Sequence, residues 1–171
     1  MDQENEDQRA LRLWITAGLS IPEVNDLKGD AGYLLNNMIA KYTLAAEHYA
    51  VSEAAKRKLR KEGVNLKKTH IRRRFYGRER PYMYEHPVPA KVVRTALLKS
   101  DRTETAVAKI LKQTGKVTLF LRKENKKLKD AKLRSAMPAG WKMGGDPEVR
   151  YKEVGIKISK TVLGVRGAIV R

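Results

Sequence analysis

The chain contains no cysteine, so its fold must rest on a hydrophobic core, without disulfides or cysteine-ligated metals. The same absence excludes thiol catalysis and iron–sulfur clusters. With three histidines in the whole sequence, a zinc finger or zinc ribbon is excluded as well. Apolar residues make up 42% of the 171 residues, which is enough to bury a core. This length fits one domain, or one domain with a small appendage.

Two features indicate a protein that works inside the cell and outside the membrane. The segment from Met1 to Asp7 is acidic, which is typical neither of a secretory signal nor of a transit peptide. No stretch approaches the ~20 apolar residues that a membrane span needs. We therefore expect a cytoplasmic, nucleic-acid-associated protein without a membrane partner.

Charge is distributed unevenly along the chain, whose 37 Lys and Arg outnumber 19 Asp and Glu to give a net charge of +18. Residues 1–54 contain four Lys or Arg against nine Asp or Glu, a net charge of −5. The remaining residues contain 33 against 10, a net charge of +23. A field of this strength attracts polyanions and accelerates their association. We predict nucleic acid as the partner, with DNA favoured over RNA.

The acidic first region has the pattern of two helices. One is predicted from about residue 8 to 17, and a longer one from about 30 to 62, with Asp30 as its N-cap and Gly63 after its end. Apolar residues recur at spacings of three and four along the second helix. This stripe is either core packing or the interface of a homodimer through the N-terminal helices; it contains Leu34, Leu35, Met38, Ile39, Tyr42, Ala45, Ala46 and Tyr49.

A dense basic run follows, with eleven Lys or Arg between positions 56 and 78 against a single acid, Glu62. One interpretation is a solvated charged face. The other is a set of phosphate contacts, which the neighbouring Phe75 and Tyr76 favour because aromatic rings can stack on bases. The predicted nucleic-acid-binding residues of this run are Lys56, Arg57, Lys58, Arg60, Lys67, Lys68, Arg72, Arg73, Arg74 and Arg78.

Strands and helices alternate after the basic run. A short strand is predicted from Tyr82, ending in a rigid turn at Pro87 and Pro89. Two helices follow, at about 92–98 and from a cap at Asp101 or Thr103 to Gly115. The strand at 116–121 lacks strict alternation, which predicts burial on both faces. A basic helix then begins near Arg122, and a strand or hairpin is predicted after residue 154.

Two short segments resemble the motifs of the HNH, or ββα-metal, endonucleases. Glu85-His86-Pro87-Val88-Pro89 resembles their acidic residue, histidine and proline, and the strand at 117–121 followed by Asn125-Lys126-Lys127 resembles their later strand and helix. The resemblance implies His86 as the general base, Glu85 and Asn125 as ligands of Mg²⁺ or another divalent cation, and Arg122, Lys126 and Lys127 as phosphate contacts. Alternatively, His86 is a turn histidine and Asn125 is a helix N-cap.

These observations together predict an α+β fold in three segments. Residues 1–62 form a helical region for packing or dimerisation, residues 63–145 a basic ββα-metal-like nuclease core, and residues 146–171 a C-terminal β extension. The expected function is metal-dependent hydrolysis of phosphodiester bonds in DNA, as in a phage, mobile-element or restriction endonuclease. The alternative is a non-catalytic DNA- or RNA-binding protein, including a component of a ribonucleoprotein.

Overall fold

The computed structural model describes residues 4–21, 29–66 and 80–165. Within these ranges seven helices and a four-stranded sheet form an α+β fold, which confirms the predicted fold class. The helices are α1 (Glu6–Leu19), α2 (Gly29–Leu44), α3 (Glu53–Lys61), α4 (Ala90–Lys99), α5 (Glu104–Lys112), α6 (Arg122–Asp130) and α7 (Val149–Glu153). The strands are β1 (His48–Ser52), β2 (Tyr82–Glu85), β3 (Thr118–Leu121) and β4 (Ile158–Gly164).

The sheet joins all three segments of the sequence. Its strand order is β2-β3-β1-β4. The central strands β1 and β3 are parallel, and the outer strands β4 and β2 pair with them in the antiparallel direction. Thus β1 comes from the segment 1–62, β2 and β3 from 63–145, and β4 from 146–171. β2, β3 and α6 make a strand–strand–helix unit, and this unit is part of the larger sheet.

The predicted single helix from 30 to 62 is wrong, because strand β1 divides it into α2 and α3. Tyr49 and Val51 are fully buried among residues of the sheet, so their apolar spacing reflects strand packing and not the continuation of a helical stripe. Ser52 then caps α3 by accepting a hydrogen bond from the backbone N–H of Ala55 at 3.1 Å. Gly63 follows α3 with a φ of 69°, as its predicted position at the helix end requires.

Helices α1, α2, α4 and α5 form a bundle in which α1 packs against α2 and α5, and α4 packs against the same two helices. The N-cap residues Asn5 of α1 and Thr103 of α5 accept hydrogen bonds from backbone N–H groups. Most of the apolar stripe of α2 is core, which agrees with the core-packing interpretation for that helix. The buried side chains of the bundle include Ile15, Leu19, Leu35, Ile39, Tyr42, Val93, Leu97, Val107 and Leu111.

The sheet carries helices on both faces. On one face, Ala55 and Leu59 of α3 pack with Tyr49, Val51 and Leu119. On the other face, α6 and α7 pack against Phe120; their contacts come from Leu128, Tyr151 and Ile156. Successive side chains of β3 point to opposite faces, so the strand is buried on both sides, as its sequence predicts.

The units β1–α3 and β3–α6 share one local geometry. In each, the helix begins at the residue after the strand. Each helix is followed by a residue with positive φ, Gly63 at 69° and Lys132 at 60°. The next N–H bonds back to the helix, from Val64 to the Leu59 carbonyl at 3.0 Å and from Leu133 to the Leu128 carbonyl at 2.8 Å. Both basic helices are therefore fixed at both ends. Among the described helices, none has the length and hydropathy of a membrane span.

Candidate nucleic-acid interface and the Glu85–His86 cluster

Helix α6 presents a continuous basic surface. Leu128 is buried against the sheet, and Glu124 turns inward, where its Oε2 accepts a hydrogen bond from the Leu121 N–H at 2.9 Å. The inward positions of the helix are thus taken by one leucine and one capping acid. The exposed cations of this helix form what we call the α6 basic face: Arg122, Lys123, Lys126, Lys127 and Lys129.

The four lysines of the α6 basic face are not neutralised by the described part of the chain. Lys123 and Lys127 are four residues apart and Lys126 and Lys129 three apart, so like charges are neighbours on the helix surface. Within the described residues, the side chains of these four lysines make no ion pair and no hydrogen bond. Arg122 differs, since its Nε donates to the Arg80 carbonyl at 2.8 Å. The surface is therefore a concentration of positive charge.

Sequence reasoning predicted Arg122, Lys126 and Lys127 in this surface and missed Lys123 and Lys129. The spacing of Glu124 and Leu128 could have identified these two lysines as outward-facing. Glu124 and Leu128 are four apart and face the core, so the cations at the remaining positions of the helix lie on the outer side.

Helix α3 contributes a second, partly neutralised basic face. Lys56 donates to the Ser159 hydroxyl at 2.8 Å and lies 3.7 Å from Glu53. Lys58 is 3.1 Å from the Glu62 carboxylate. Arg57, Arg60 and Lys61 are exposed, and none of the three has an ionic partner among the described residues. Of the residues predicted in α3, Arg57 and Arg60 are thus best placed to contact a phosphate.

The two basic helices lie on opposite faces of the sheet and do not form one flat surface. They approach each other at the edge where the parallel strands β1 and β3 end. There the Ser52 hydroxyl donates to Glu124 Oε2 at 2.7 Å. A ligand in contact with both helices has to pass around this edge. The remaining predicted residues, Lys67, Lys68, Arg72, Arg73, Arg74 and Arg78, lie outside the described residues, as do Phe75 and Tyr76.

Glu85 lies at the end of β2 and forms an ion pair with Arg150 of α7, a side chain that is fully buried. All five N–H donors of this guanidinium are used. Besides Glu85 they reach the carbonyls of His86 and Pro87, the latter at 2.8 Å, and those of Leu133 and Arg134 at 2.7 and 3.2 Å. Burial raises the pKa of the Glu85 carboxyl, and the charge of Arg150 opposes that rise. Arg150 thereby ties the end of β2 to the segment after α6.

His86 is held by the helical bundle. The Thr43 hydroxyl lies 2.8 Å from His86 Nδ1 and 2.9 Å from the Ala40 carbonyl, so a hydrogen bond to Thr43 of α2 holds the imidazole in place. Burial, and secondarily the charge of Arg150, lower the pKa of His86 to about 4. An imidazole with this pKa is neutral at physiological pH and is a weak general base.

Asn125 lies in the first turn of α6, which follows the end of β3 where Leu121 pairs with Tyr82. Glu85 pairs with Thr118, at the opposite end of β3. Asn125 is not the N-cap of the helix, because Leu121 occupies that position. Its Oδ1 is buried and has no hydrogen-bond partner in the described part of the chain. Within that part, no hydrogen bond joins Asn125 to Glu85 or His86.

Of the two predicted Mg²⁺ ligands, Glu85 is paired with Arg150, and Asn125 lies at the opposite end of β3. A divalent cation at the Glu85 carboxylate would stand beside the positive charge of Arg150 in a buried, low-dielectric setting. Within the described residues, no group of three or more His, Asp or Glu side chains is arranged to hold a metal ion. As they are arranged, these residues do not fit a shared divalent ion, and Mg²⁺ binding by this chain stays a prediction. Comparison with protein-family models, curated proteins and solved structures finds no match for the chain.

Proposed function

We propose that this protein binds nucleic acid through the phosphate backbone, and that the α6 basic face is its principal contact surface. The observation that supports the proposal is the row of lysines on a nine-residue helix, whose side chains have no ionic partner in residues 4–21, 29–66 and 80–165. Like charges three and four residues apart destabilise a helix. A polyanion removes this repulsion and releases its own counterions on binding.

The chemistry of the surface favours contacts that are independent of sequence. Four of its five cations are lysines, which bind phosphate as point charges. Such contacts position a protein on a nucleic acid but do not read bases. We take duplex DNA as the ligand, with RNA as the alternative that the experiment distinguishes. The compartment proposed is accordingly the cytoplasm, in association with the nucleoid.

Helix α3 supplies a second contact in this proposal. Arg57 and Arg60 are exposed and lack an ionic partner within the described residues. Because α3 and α6 cover opposite faces of the sheet, their basic faces do not form one flat contact surface. The two helices thus contact different stretches of nucleic acid, or one stretch that bends around the sheet edge at Ser52.

Phosphodiester hydrolysis is not part of this proposal. The Glu85 carboxylate is paired with Arg150, and His86 Nδ1 is bonded to Thr43. Both groups have structural partners that account for their burial. Hydrolysis of DNA with Mg²⁺, as expected from the HNH resemblance, stays a prediction that a cleavage assay tests.

The proposal is tested by measuring the affinity for a short DNA duplex as a function of salt concentration. The test variant is Lys123→Gln, Lys126→Gln and Lys127→Gln on α6. Its control removes the same charge from exposed lysines of the bundle, with Lys91→Gln, Lys109→Gln and Lys112→Gln. Each lost phosphate contact reduces the log–log salt slope by about 0.9, so we expect a reduction of about 2–3 for the α6 variant and little change for the control.

Equal losses in the two variants would show that net charge acts without a preferred surface, and would overturn the assignment to α6. A wild-type slope near zero would overturn binding through the phosphate backbone, and the absence of any measurable affinity would overturn nucleic-acid binding itself. The same titration with an RNA duplex at matched salt decides between the two ligands. Tighter RNA binding would favour the ribonucleoprotein alternative.

A further inference from the structure

The outer face of α1 is apolar, although it does not take part in the bundle core. Ala10, Leu13, Trp14 and Ala17 recur at spacings of three, one and three, Ile21 follows two residues after the helix ends, and all five are exposed. Trp14 is 70% exposed. The opposite side of the same helix buries Ile15 and Leu19 in the bundle. A helix that is apolar on two sides is typical of one with packing partners on both.

Helix α2, which packs beside α1, also exposes large apolar side chains. Asn5 donates to the Ala45 carbonyl at 2.9 Å and Gln8 to the Tyr42 carbonyl at 3.4 Å. These bonds fix α1 and α2 as an antiparallel pair and set Tyr33 and Leu34 level with Ala17. Tyr33 is 67% and Leu34 61% exposed. Tyr33 and Leu34 thus lie towards the end of the α1–α2 pair that includes Ile21, and Leu13 and Trp14 lie at the middle of α1.

We propose that this surface binds a second copy of the chain, in a two-fold dimer through α1 and α2. The α1 stripe is self-complementary. When two such helices pair in the antiparallel direction about the midpoint between Leu13 and Trp14, Ala10 faces Ala17 of the second copy. Small residues then lie on either side of a central pair of large ones, which lets the helices approach closely. A two-fold axis places the same surface on both partners.

The exposed apolar area of α1 and α2 is close to the apolar area that one partner of a protein dimer buries. Leu13, Trp14, Ile21, Tyr33 and Leu34 together expose on the order of 400 Å² of apolar area, from the areas that such side chains usually bury. A standard interface buries about 800 Å² on each partner, somewhat more than half of it apolar. The five side chains thus supply most of the apolar area that one partner of such a dimer needs.

Charge also favours this surface for self-association. Two molecules of net charge +18 repel each other, but residues 1–54 have a net charge of −5. An approach through α1 and α2 keeps the strongly basic remainder of each copy away from the other. The dimer proposal does not rest on nucleic-acid binding, and it would present two α6 basic faces in one assembly.

Sedimentation equilibrium of the full chain over a wide range of protein concentrations tests the proposal. We expect the mass of two chains at high concentration, and for Trp14→Glu a dissociation constant raised by about a hundredfold or more. The matched control Thr95→Glu adds the same charge at an exposed position of α4 and should dimerise like the wild type. Circular dichroism verifies that each variant is folded, and Leu34→Glu on α2 provides a second test variant.

Three results would overturn the proposal. The first is a wild-type chain that stays monomeric at every concentration. The second is a dimer that survives both Trp14→Glu and Leu34→Glu, which would place the interface elsewhere. The third is a mass that keeps growing with concentration without a plateau at two chains, since open-ended growth requires head-to-tail contacts and not a two-fold pairing.

Discussion

The Ser52 hydroxyl joins the two basic helices by donating a 2.7 Å hydrogen bond to Glu124 Oε2. Both residues are buried and both serve their own helix as well. Ser52 accepts from the Ala55 N–H at the start of α3, and Glu124 accepts from the Leu121 N–H at the start of α6. One short contact thus fixes the starting points of both helices at the shared edge of the parallel strands.

Substitution of Ser52 by alanine is therefore expected to destabilise the fold more than the loss of an ordinary cap. Ser52→Ala removes the α3 cap and one of the partners of the buried Glu124, for a combined loss of about 2–3 kcal/mol. The control is Thr103→Ala, which removes the exposed cap of α5 and should cost about 1 kcal/mol. Urea denaturation of both variants measures the difference. Equal losses would show that the bond to Glu124 adds no stability.

The Glu85–Arg150 ion pair yields a second stability prediction. Glu85→Ala leaves the fully buried Arg150 without its carboxylate, and breaking a buried pair in this way costs about 3–5 kcal/mol. Glu153→Ala, which removes an exposed carboxylate from the same helix as Arg150, should stay within about 0.5 kcal/mol of the wild type. Thermal unfolding followed by circular dichroism distinguishes them. A Glu85 variant as stable as the Glu153 variant would remove the basis for the structural role assigned to the pair.

A third prediction concerns the pH dependence of stability and follows from His86. Its pKa is about 4 in the folded chain and about 6.5 when unfolded, so between these values the unfolded state binds more protons. The stabilising contribution of neutral His86 is thus complete above about pH 6.5 and is lost as the pH falls towards 4. The loss amounts to at most about 3 kcal/mol.

The measurement compares the free energy of unfolding of wild type and His86→Gln at several pH values, since glutamine does not titrate. The difference between the two curves should fall from pH 7 to pH 4 and level off below. The other titrating groups are common to both proteins and cancel in the difference. Parallel curves over this range would mean that His86 is solvated and titrates normally in the folded chain.

Local pattern was sufficient for much of the fold. The caps at Thr103 and Gly63 and the two-sided burial of β3 follow from residue types within a few positions of each other. The boundary at β1 did not follow, because Tyr42, Ala45, Ala46 and Tyr49 keep a helical spacing that the sheet overrides. That choice depends on pairing with Thr118 and Val162, which are far away in the sequence.

The environment of the candidate site was less predictable for the same reason. The sequence draws attention to Glu85 and His86 as neighbours, but their partners Arg150 and Thr43 are 65 and 43 residues away. A motif that places an acid beside a histidine indicates metal chemistry only while both side chains are available to a metal. Whether distant residues occupy them is a property of the tertiary structure.

The last prediction addresses hydrolysis directly. Because the Glu85 carboxylate and His86 Nδ1 already have protein partners, we expect supercoiled plasmid to stay intact during prolonged incubation with the protein and Mg²⁺. Gel electrophoresis of the plasmid measures nicking, and repetition with Mn²⁺ covers a second divalent ion. The matched variant is His86→Gln, whose charge at neutral pH equals that of the neutral histidine.

Nicking by the wild type and not by a folded, DNA-binding His86→Gln would instead establish the endonuclease activity, since it would require this imidazole to act on water beside a phosphate. Nicking that both proteins show equally would point to a contaminating nuclease, because it would not depend on the one residue to which the HNH resemblance assigns proton transfer.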